Sequence, residues 1–321
     1  MIRVIRTRFT QAPAKVFQWQ CGAWCGIFRT TDGGATWTQL TATGTSDFYY
    51  VNDLVISNAN PQRLYAGTRT GVWRSLNGGA AYKSAATVSA ASYANSQPVA
   101  AESIVSVFGA NLATRDQAVK QLPLPTELAG TSVKVRDSLG IERLAQLFYV
   151  GKLQVNYEIP AGTATGFATV TITNGNGEIF TSAVNITSVT PGLFAANQNG
   201  SGAAAASILY FRNGTSRYES NFACDTNGQN CTARQIDLNA ADEVFLELYG
   251  TGIRNNSRLT NVTATVGGVT VPVLYANKQP DFIGLDQVNI QLPKMLVGRG
   301  EVDVVLTVDG KVANPVRINL K

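Results

Sequence analysis

The sequence predicts an all-β protein: partial β-propeller blades followed by two β-sandwiches. Three observations carry this reading. Short alternating strands are punctuated by frequent turn signals, and no segment holds a helical period. A motif near the N-terminus recurs at a spacing of 45 residues, and a longer pattern in the body recurs, its QVN motif and closing turn at a spacing of 133.

The N-terminal repeat is GIFRTTDGGATW (26–37) against GVWRSLNGGAAY (71–82), aligned without gaps. A period near 45 is typical of propeller blades. In the first copy a strand at Ile27 and Phe28 is expected to enter a tight turn at Asp32, Gly33 and Gly34. It would return through Thr36 and Trp37. Asp or Asn accepts backbone N–H groups within such a turn, and Gly supplies positive φ. The structural turn residues are then Asp32, Gly34 and Trp37, and their counterparts Asn77, Gly79 and Tyr82. Two blades do not close a propeller, which needs about four to eight. The chain is therefore expected to begin partway through a longer protein.

The stretch 83–102 is rich in Ala and Ser and reads as a linker into the body. There SIVSVFGANL (103–112) corresponds to EVFLELYGTGI (243–253), and LFYVGK (147–152) to VLYANK (273–278). LQVNYEIP (153–160) corresponds to DQVNIQLP (286–293), and the closing turn Asn176-Gly177 to Asp309-Gly310. The second copy carries extra residues, QPDFIG, before its QVN. Domain bounds follow: an irregular segment at 1–25, two blade-like repeats at 26–85, and sandwiches at 86–190 and 191–321. The stretch 188–207 is expected to bridge the sandwiches.

Alternation assigns faces within the QVN strands. Leu153, Val155, Tyr157 and Ile159 share the inward face in the first copy, as do Val288, Ile290 and Leu292 in the second. Gln154, Asn156, Gln287 and Asn289 form a polar ladder on the outer face. Two explanations of the amides stay open. They bond a neighbouring loop within each sandwich, or they face a ligand.

Composition removes several chemistries. The chain has 321 residues and no His, which excludes Ser-His-Asp and Cys-His catalysis and removes the commonest metal ligand. The net charge of +5 comes from Arg3, Arg6, Arg8, Lys15 and Arg29; the rest holds 21 basic and 21 acidic residues. A neutral body lacks the basic stripe that nucleic acid requires. No apolar run approaches the ~18 residues of a membrane helix. Glycine-rich turns at GNGEIF and GTGIRN lack the Lys of a phosphate loop. No cofactor or metal is expected.

The four Cys lie in two close pairs, Cys21 with Cys25 and Cys224 with Cys231. Local even pairing reads as disulfides in an oxidising compartment. Zinc is the competing reading, but the spacings C-x3-C and C-x6-C match no common zinc motif. Asp225 offers one charge toward calcium in the CDTNGQNC loop, too few for a calcium loop of familiar type. Asp32, Asp47 and Asp53 are the candidate carboxylates for glycoside hydrolysis, with Asp53 expected in a strand entering the blade core. Trp19, Trp24, Trp37 and Trp73 are expected to pack between sheets, and Phe148, Tyr149 and Tyr275 to pack within both sandwiches.

TTDGGATW resembles the Asp-box of sialidase-like (BNR) and sortilin-like propellers over about residues 16–85. That resemblance implies a structural turn remote from any active site. The strand followed by aromatic-Gly-x-x-aliphatic resembles the start of IPT/TIG immunoglobulin-like domains. AASYANSQPVAAESIVSVFGANL, LPTELAGTSV, LFYVGKLQVNYEIP, TPGLFAANQNGSGAA, LYGTGI and NPVRINL together resemble an uncharacterised C-terminal module of Solibacter and related acidobacterial surface proteins. This covers about 88–321. It departs at the FACDTNGQNC insertion and at Glu102, where the family often has Gly.

The resemblance implies two immunoglobulin-like sandwiches and an extracellular or cell-surface location, and it is silent on chemistry. The expected function is a non-enzymatic adhesion, binding or spacer module whose partner is carbohydrate or a surface protein. The alternative is the C-terminal fragment of a sialidase- or xyloglucanase-like hydrolase with catalytic blades upstream.

Overall fold

The computed structural model describes residues 2–3, 26–30, 35–40, 43–57, 63–75, 83–119, 122–228 and 230–321. It is 52% strand and 4% helix, so the all-β expectation holds. The chain divides into two compact units, Met1–Lys83 and Ser84–Lys321.

In the first unit, Phe28–Arg29 pairs antiparallel with Thr38–Gln39 in the register Phe28 to Gln39. The return strand thus lies two residues later than the expected Thr36-Trp37. Strands Val51–Ile56, Leu64–Thr68 and Gly71–Ser75 form a separate three-stranded antiparallel sheet. A small core joins Ile27, Leu40, Phe48, Val51, Leu64 and Ala66. Gly26, which opens the first repeat, has φ +109, and a Cβ there would lie 2.5 Å from the Thr43 carbonyl oxygen. Thr43 closes that corner, its Oγ1 accepting from Ile27 N at 2.8 Å and donating to Leu40 O at 2.7 Å. Only Gly satisfies both the dihedral and the close approach.

The second unit holds two sandwich-like pairs of sheets, each around its own core. One core runs from Val99 to Ile186 and the other from Val189 to Leu320. In the first, the strand order is Gln117–Ala118, Leu147–Val150, Gln154–Glu158, Ile104–Phe108, Ala86–Ser89. In the second, Val273–Lys278, Asp286–Gln291 and Glu243–Thr251 repeat the order of the middle three, followed by Ala206–Arg212 and Thr215–Ser220. The duplication reaches an irregularity. Both copies shift register between Leu147 and Tyr149 and between Val273 and Tyr275, bulging at Phe148 and Leu274. A bulge adds twist and re-aims side chains, and here it is built twice at one place.

The stretch 188–207 belongs to the second sandwich. Gly192–Leu193 pairs with Gly250 and Thr251, and Val189, Leu193, Ala204 and Ala206 lie in its core. Its apolar residues needed a wall, and the second core supplies it.

The two sandwiches meet through a compact joint. Ile104 N donates to Thr251 Oγ1 at 2.8 Å, and Thr251 Oγ1 donates to Gly284 O at 2.9 Å. Gly284, last residue of the QPDFIG insertion, lies so close to Ile104 that a Cβ would be 2.6 Å from Ile104 Cγ1. Gly192 approaches Ala91 and Ser89 in the same way, and Gly200 approaches the carbonyl of Ser92.

Candidate binding face

The QVN strands bury Val155, Tyr157, Ile159, Val288, Ile290 and Leu292, as alternation requires. Leu153 departs from this: it is 69% exposed, because the strand begins only at Gln154. On the outer face Gln154 Nε2 donates to Asn156 Oδ1 at 2.7 Å, and Gln287 Nε2 to Asn289 Oδ1 at 2.8 Å. The amides therefore bond each other along one strand, an arrangement that neither open explanation, a neighbouring loop or a ligand, had included. Residues two apart in a strand share a face, which brings the long Gln amide within reach of the shorter Asn carbonyl.

The two outer faces differ in what lies around the amides. In the first sandwich, fully buried Ser106 sits opposite Asn156 and donates to Asn156 Oδ1 at 2.9 Å. Tyr93, held at φ +53, lays its ring against Phe108 with centroids 6.3 Å apart. Burial pushes the Tyr93 phenol pKa up, opposed by its hydrogen bond with Ser106. Tyr93 and Ser106 thus close that face.

In the second sandwich, Glu247 stands opposite Asn289 and Tyr249 opposite Gln287. The outward row continues through Phe245 and Leu209 to Tyr218, which is 60% exposed. Phe211 is 38% exposed at the next row. Tyr218 Oη donates to Glu247 Oε1 at 3.5 Å, Ser207 and Tyr249 hydroxyls lie 3.2 Å apart, and Gln291 Nε2 donates to Glu243 Oε1 at 3.2 Å. Burial pushes the Glu247 carboxyl up, while the Tyr218 hydrogen bond pulls it down. The outward rows carry aromatics, amides, hydroxyls and two carboxylates, and no Lys or Arg. Arg217 points to the opposite side of its strand, 4.6 Å over the Tyr210 ring.

Tyr149 and Tyr275 occupy matching places across from Asn156 and Asn289. They lie half-buried on the outer faces, which corrects the expectation that they pack in the cores. The bulge before each Tyr explains it, since one extra residue flips the side chain outward. Trp73 is 41% exposed, its ring 5.3 Å from Phe48 and its Nε1 donating to Thr68 Oγ1 at 3.1 Å. It caps the small core without entering it. Asp53 lies in the strand Val51–Ile56, its side chain exposed and its Oδ1 accepting from Leu54 N.

Cys224 and Cys231 are joined by a disulfide across the hairpin that pairs them. Asn197 fastens this hairpin to the second sandwich, accepting from Cys231 N at 2.7 Å. Asp225 is occupied inside the loop, accepting from Asn230 Nδ2 and Asn227 N. Trp37 is half-buried beside the Thr38–Gln39 strand. Asp32, Gly34, Asn77, Gly79, Tyr82, Cys21, Cys25, Trp19 and Trp24 lie outside the described residues. Among the described residues no three His, Cys, Asp or Glu side chains gather as a metal site, and no helix is long and apolar enough to cross a membrane.

Sequence reading missed Tyr218, Phe211 and Glu247. The signal was available in EVFLELYGT, where Phe245, Glu247 and Tyr249 alternate against Val244, Leu246 and Leu248.

No family model matches the chain, and no curated protein matches it. Among solved structures the chain is similar to the crystal structure of bovine butyrophilin, at 11% identity over 70% of this chain and 96% of that one, with a TM-score of 0.22. That likeness carries no argument here.

Proposed function

We propose that this chain is a non-enzymatic module displayed outside the cell, with partial propeller blades ahead of two immunoglobulin-like sandwiches of IPT/TIG type. In this reading the second sandwich binds neutral glycan on its outer face. One observation carries it: the outward rows around Gln287 and Asn289 combine exposed aromatic rings with amides and carboxylates, and hold no cation. A sugar ring offers flat C–H faces to Tyr218 and Phe211. Its hydroxyls both donate and accept, as Gln and Asn do. Two carboxylates without a basic neighbour disfavour anionic polymers. The Cys224–Cys231 disulfide supports an oxidising location.

The test is affinity electrophoresis through gels holding neutral plant or bacterial polysaccharides. Wild-type protein is expected to be retarded by at least one of them, and Tyr218→Ala and Phe211→Ala to run unretarded. Equal mobility of wild type and both variants in every gel would sink the glycan reading. Reproducible hydrolysis of any of these polymers would instead favour a hydrolase fragment.

A further inference from the structure

Thr215–Ser220 is the end strand of a sheet in the second sandwich, paired on one side with Ala206–Arg212. The turn between them is two residues long, Asn213 at φ +50 and Gly214 at φ +78. Such a turn fixes the ladder: Arg212 and Thr215 form a hydrogen-bonded pair, and hydrogen-bonded pairs recur at every second residue. Thr215, Arg217 and Glu219 therefore spend their backbone groups on the neighbouring strand. The bond from Asn221 N to Ala206 O at 2.9 Å continues that alternation. The N–H and C=O groups of Ser216, Tyr218 and Ser220 point the other way, off the edge of the sheet. Every residue of the strand except Glu219 is exposed, so that edge lies open to solvent among the described residues.

Open edges invite pairing, and proteins blunt them with short strands, bulges, Lys and Pro. Among the described residues, the other end strands of the two sandwiches are four residues or shorter, except Val273–Lys278. That strand follows Pro272 and bulges at Leu274. Thr215–Ser220 has neither Lys nor Pro, and its register with its neighbour is unbroken.

The strand is also complementary to itself. About Tyr218, Ser216 mirrors Ser220, and Arg217 mirrors Glu219 with the opposite charge. A second copy laid antiparallel about a twofold axis at Tyr218 brings Ser216 against its Ser220, and Tyr218 against its Tyr218. These are the residues whose backbone groups point outward, so each pair exchanges both of its N–H to O bonds. Arg217 then faces the second copy's Glu219 in the closer, non-hydrogen-bonded position, with Cα atoms about 4.5 Å apart. The smallest slip that keeps the backbone pattern is two residues. It sets Arg217 against Arg217 or Glu219 against Glu219, and like charges directly opposite are destabilising. Backbone and charge thus select the same register. Within one copy Arg217 Nη1 already lies 3.3 Å from Glu219 Oε1, and a guanidinium has donors to spare for a second carboxylate.

We propose that Thr215–Ser220 is a dimer edge whose occupant is a second copy of this chain, joined antiparallel about Tyr218. Arg217 and Glu219 supply the selectivity, because a strand without an answering Glu and Arg meets unpaired charges there. The pairing is independent of what the outer face binds.

The test is sedimentation velocity of the full chain without polysaccharide, over roughly 1–200 μM, a window suited to a small interface. Wild type is expected to shift from the mass of one chain to that of two as concentration rises. Arg217→Glu and Glu219→Arg each set like charges opposite, and each is expected to raise the dissociation constant roughly tenfold or more. Mixed together, these two variants are expected to associate again, since every opposing pair is once more Arg with Glu. Ser216→Pro removes a donor that the neighbouring strand does not use, and is expected to weaken the dimer by a similar factor. Wild type that keeps the mass of one chain throughout would overturn the proposal. So would a dimer that both charge reversals leave unchanged, or a mixture that associates no better than its parts. Should a charge variant not fold, a dimer unmoved by Ser216→Pro would overturn it on its own.

Discussion

Gln154 and Asn156 are bonded side chain to side chain along one strand at 2.7 Å, and Gln287 and Asn289 repeat that bond at 2.8 Å. The surroundings decide what each bond is worth. Asn156 Oδ1 also accepts from buried Ser106, so Asn156→Ala takes one acceptor from two donors, one of them dry, and leaves Gln154 Nε2 only its longer bond to Ser106 Oγ at 3.3 Å. Asn289→Ala strands only the half-buried Gln287 amide. A buried unpaired donor costs about 1–3 kcal/mol, whereas water can rescue an exposed one. Chemical denaturation should therefore show Asn156→Ala costing about 2 kcal/mol and Asn289→Ala less than about 1 kcal/mol. Equal losses would mean that the two faces are equivalent, contrary to the closure of the first by Tyr93.

The duplication was legible because alternation and turn residues are local. Val155, Tyr157 and Ile159 were placed inward from spacing alone, and the match of LFYVGK to VLYANK anticipated strands that pair alike. The bulges were not legible. Nothing in the residue types at Phe148 or Leu274 marks an extra residue, so spacing alone does not show that Tyr149 and Tyr275 turn to the outer faces. The joint was also hidden, because Ile104, Thr251 and Gly284 are far apart in the chain and meet only through tertiary packing. The QPDFIG insertion was visible in the sequence, but its purpose shows only when Gly284 is seen against Ile104.

Gly284 gives a second prediction. It has φ +72, and any Cβ would fall 2.6 Å from Ile104 Cγ1. Gly284→Ala must move the insertion away from the first sandwich, taking with it the carbonyl that Thr251 Oγ1 bonds. Exchange at Ile104 N–H is expected to rise several-fold at every pH, with both cores unchanged. A variant whose Ile104 amide exchanges as slowly as wild type would show that the joint does not depend on this contact.

Asp137 gives a third. Its Oδ1 accepts from Leu139 N and Ile141 N, and its Oδ2 from Arg143 Nη1 and Ala164 N. Burial raises the carboxyl pKa, but these four donors outweigh it and hold the group at about 2. The folded value lies below the ordinary 3.8, so its stabilisation is complete above that pH and fades as pH falls toward about 2. Thermal melts should show wild type losing stability between pH 4 and pH 2, and Asp137→Asn losing less over the same window while melting lower at pH 7. Parallel pH curves would remove Asp137 from the account of acid stability.

Tyr157 is the last case, because here a core residue carries a polar atom that the fold does not satisfy. Its ring is fully buried at the centre of the first QVN strand. Its hydroxyl and the neighbouring Thr87 Oγ1 lie side by side without a hydrogen bond of ordinary geometry. Burial pushes the phenol pKa far up, so the group stays neutral at any physiological pH. An unsatisfied buried hydroxyl costs about 1–3 kcal/mol, while the ring itself contributes packing that Phe retains. Tyr157→Phe should therefore leave stability unchanged or raise it by up to about 1 kcal/mol, measured by denaturant midpoint at constant slope. The second copy has Ile290 at the corresponding position, which shows that the fold does not require the hydroxyl there. A loss above about 1.5 kcal/mol in Tyr157→Phe would mean that the hydroxyl is bonded after all, with Thr87 as the partner to remove next.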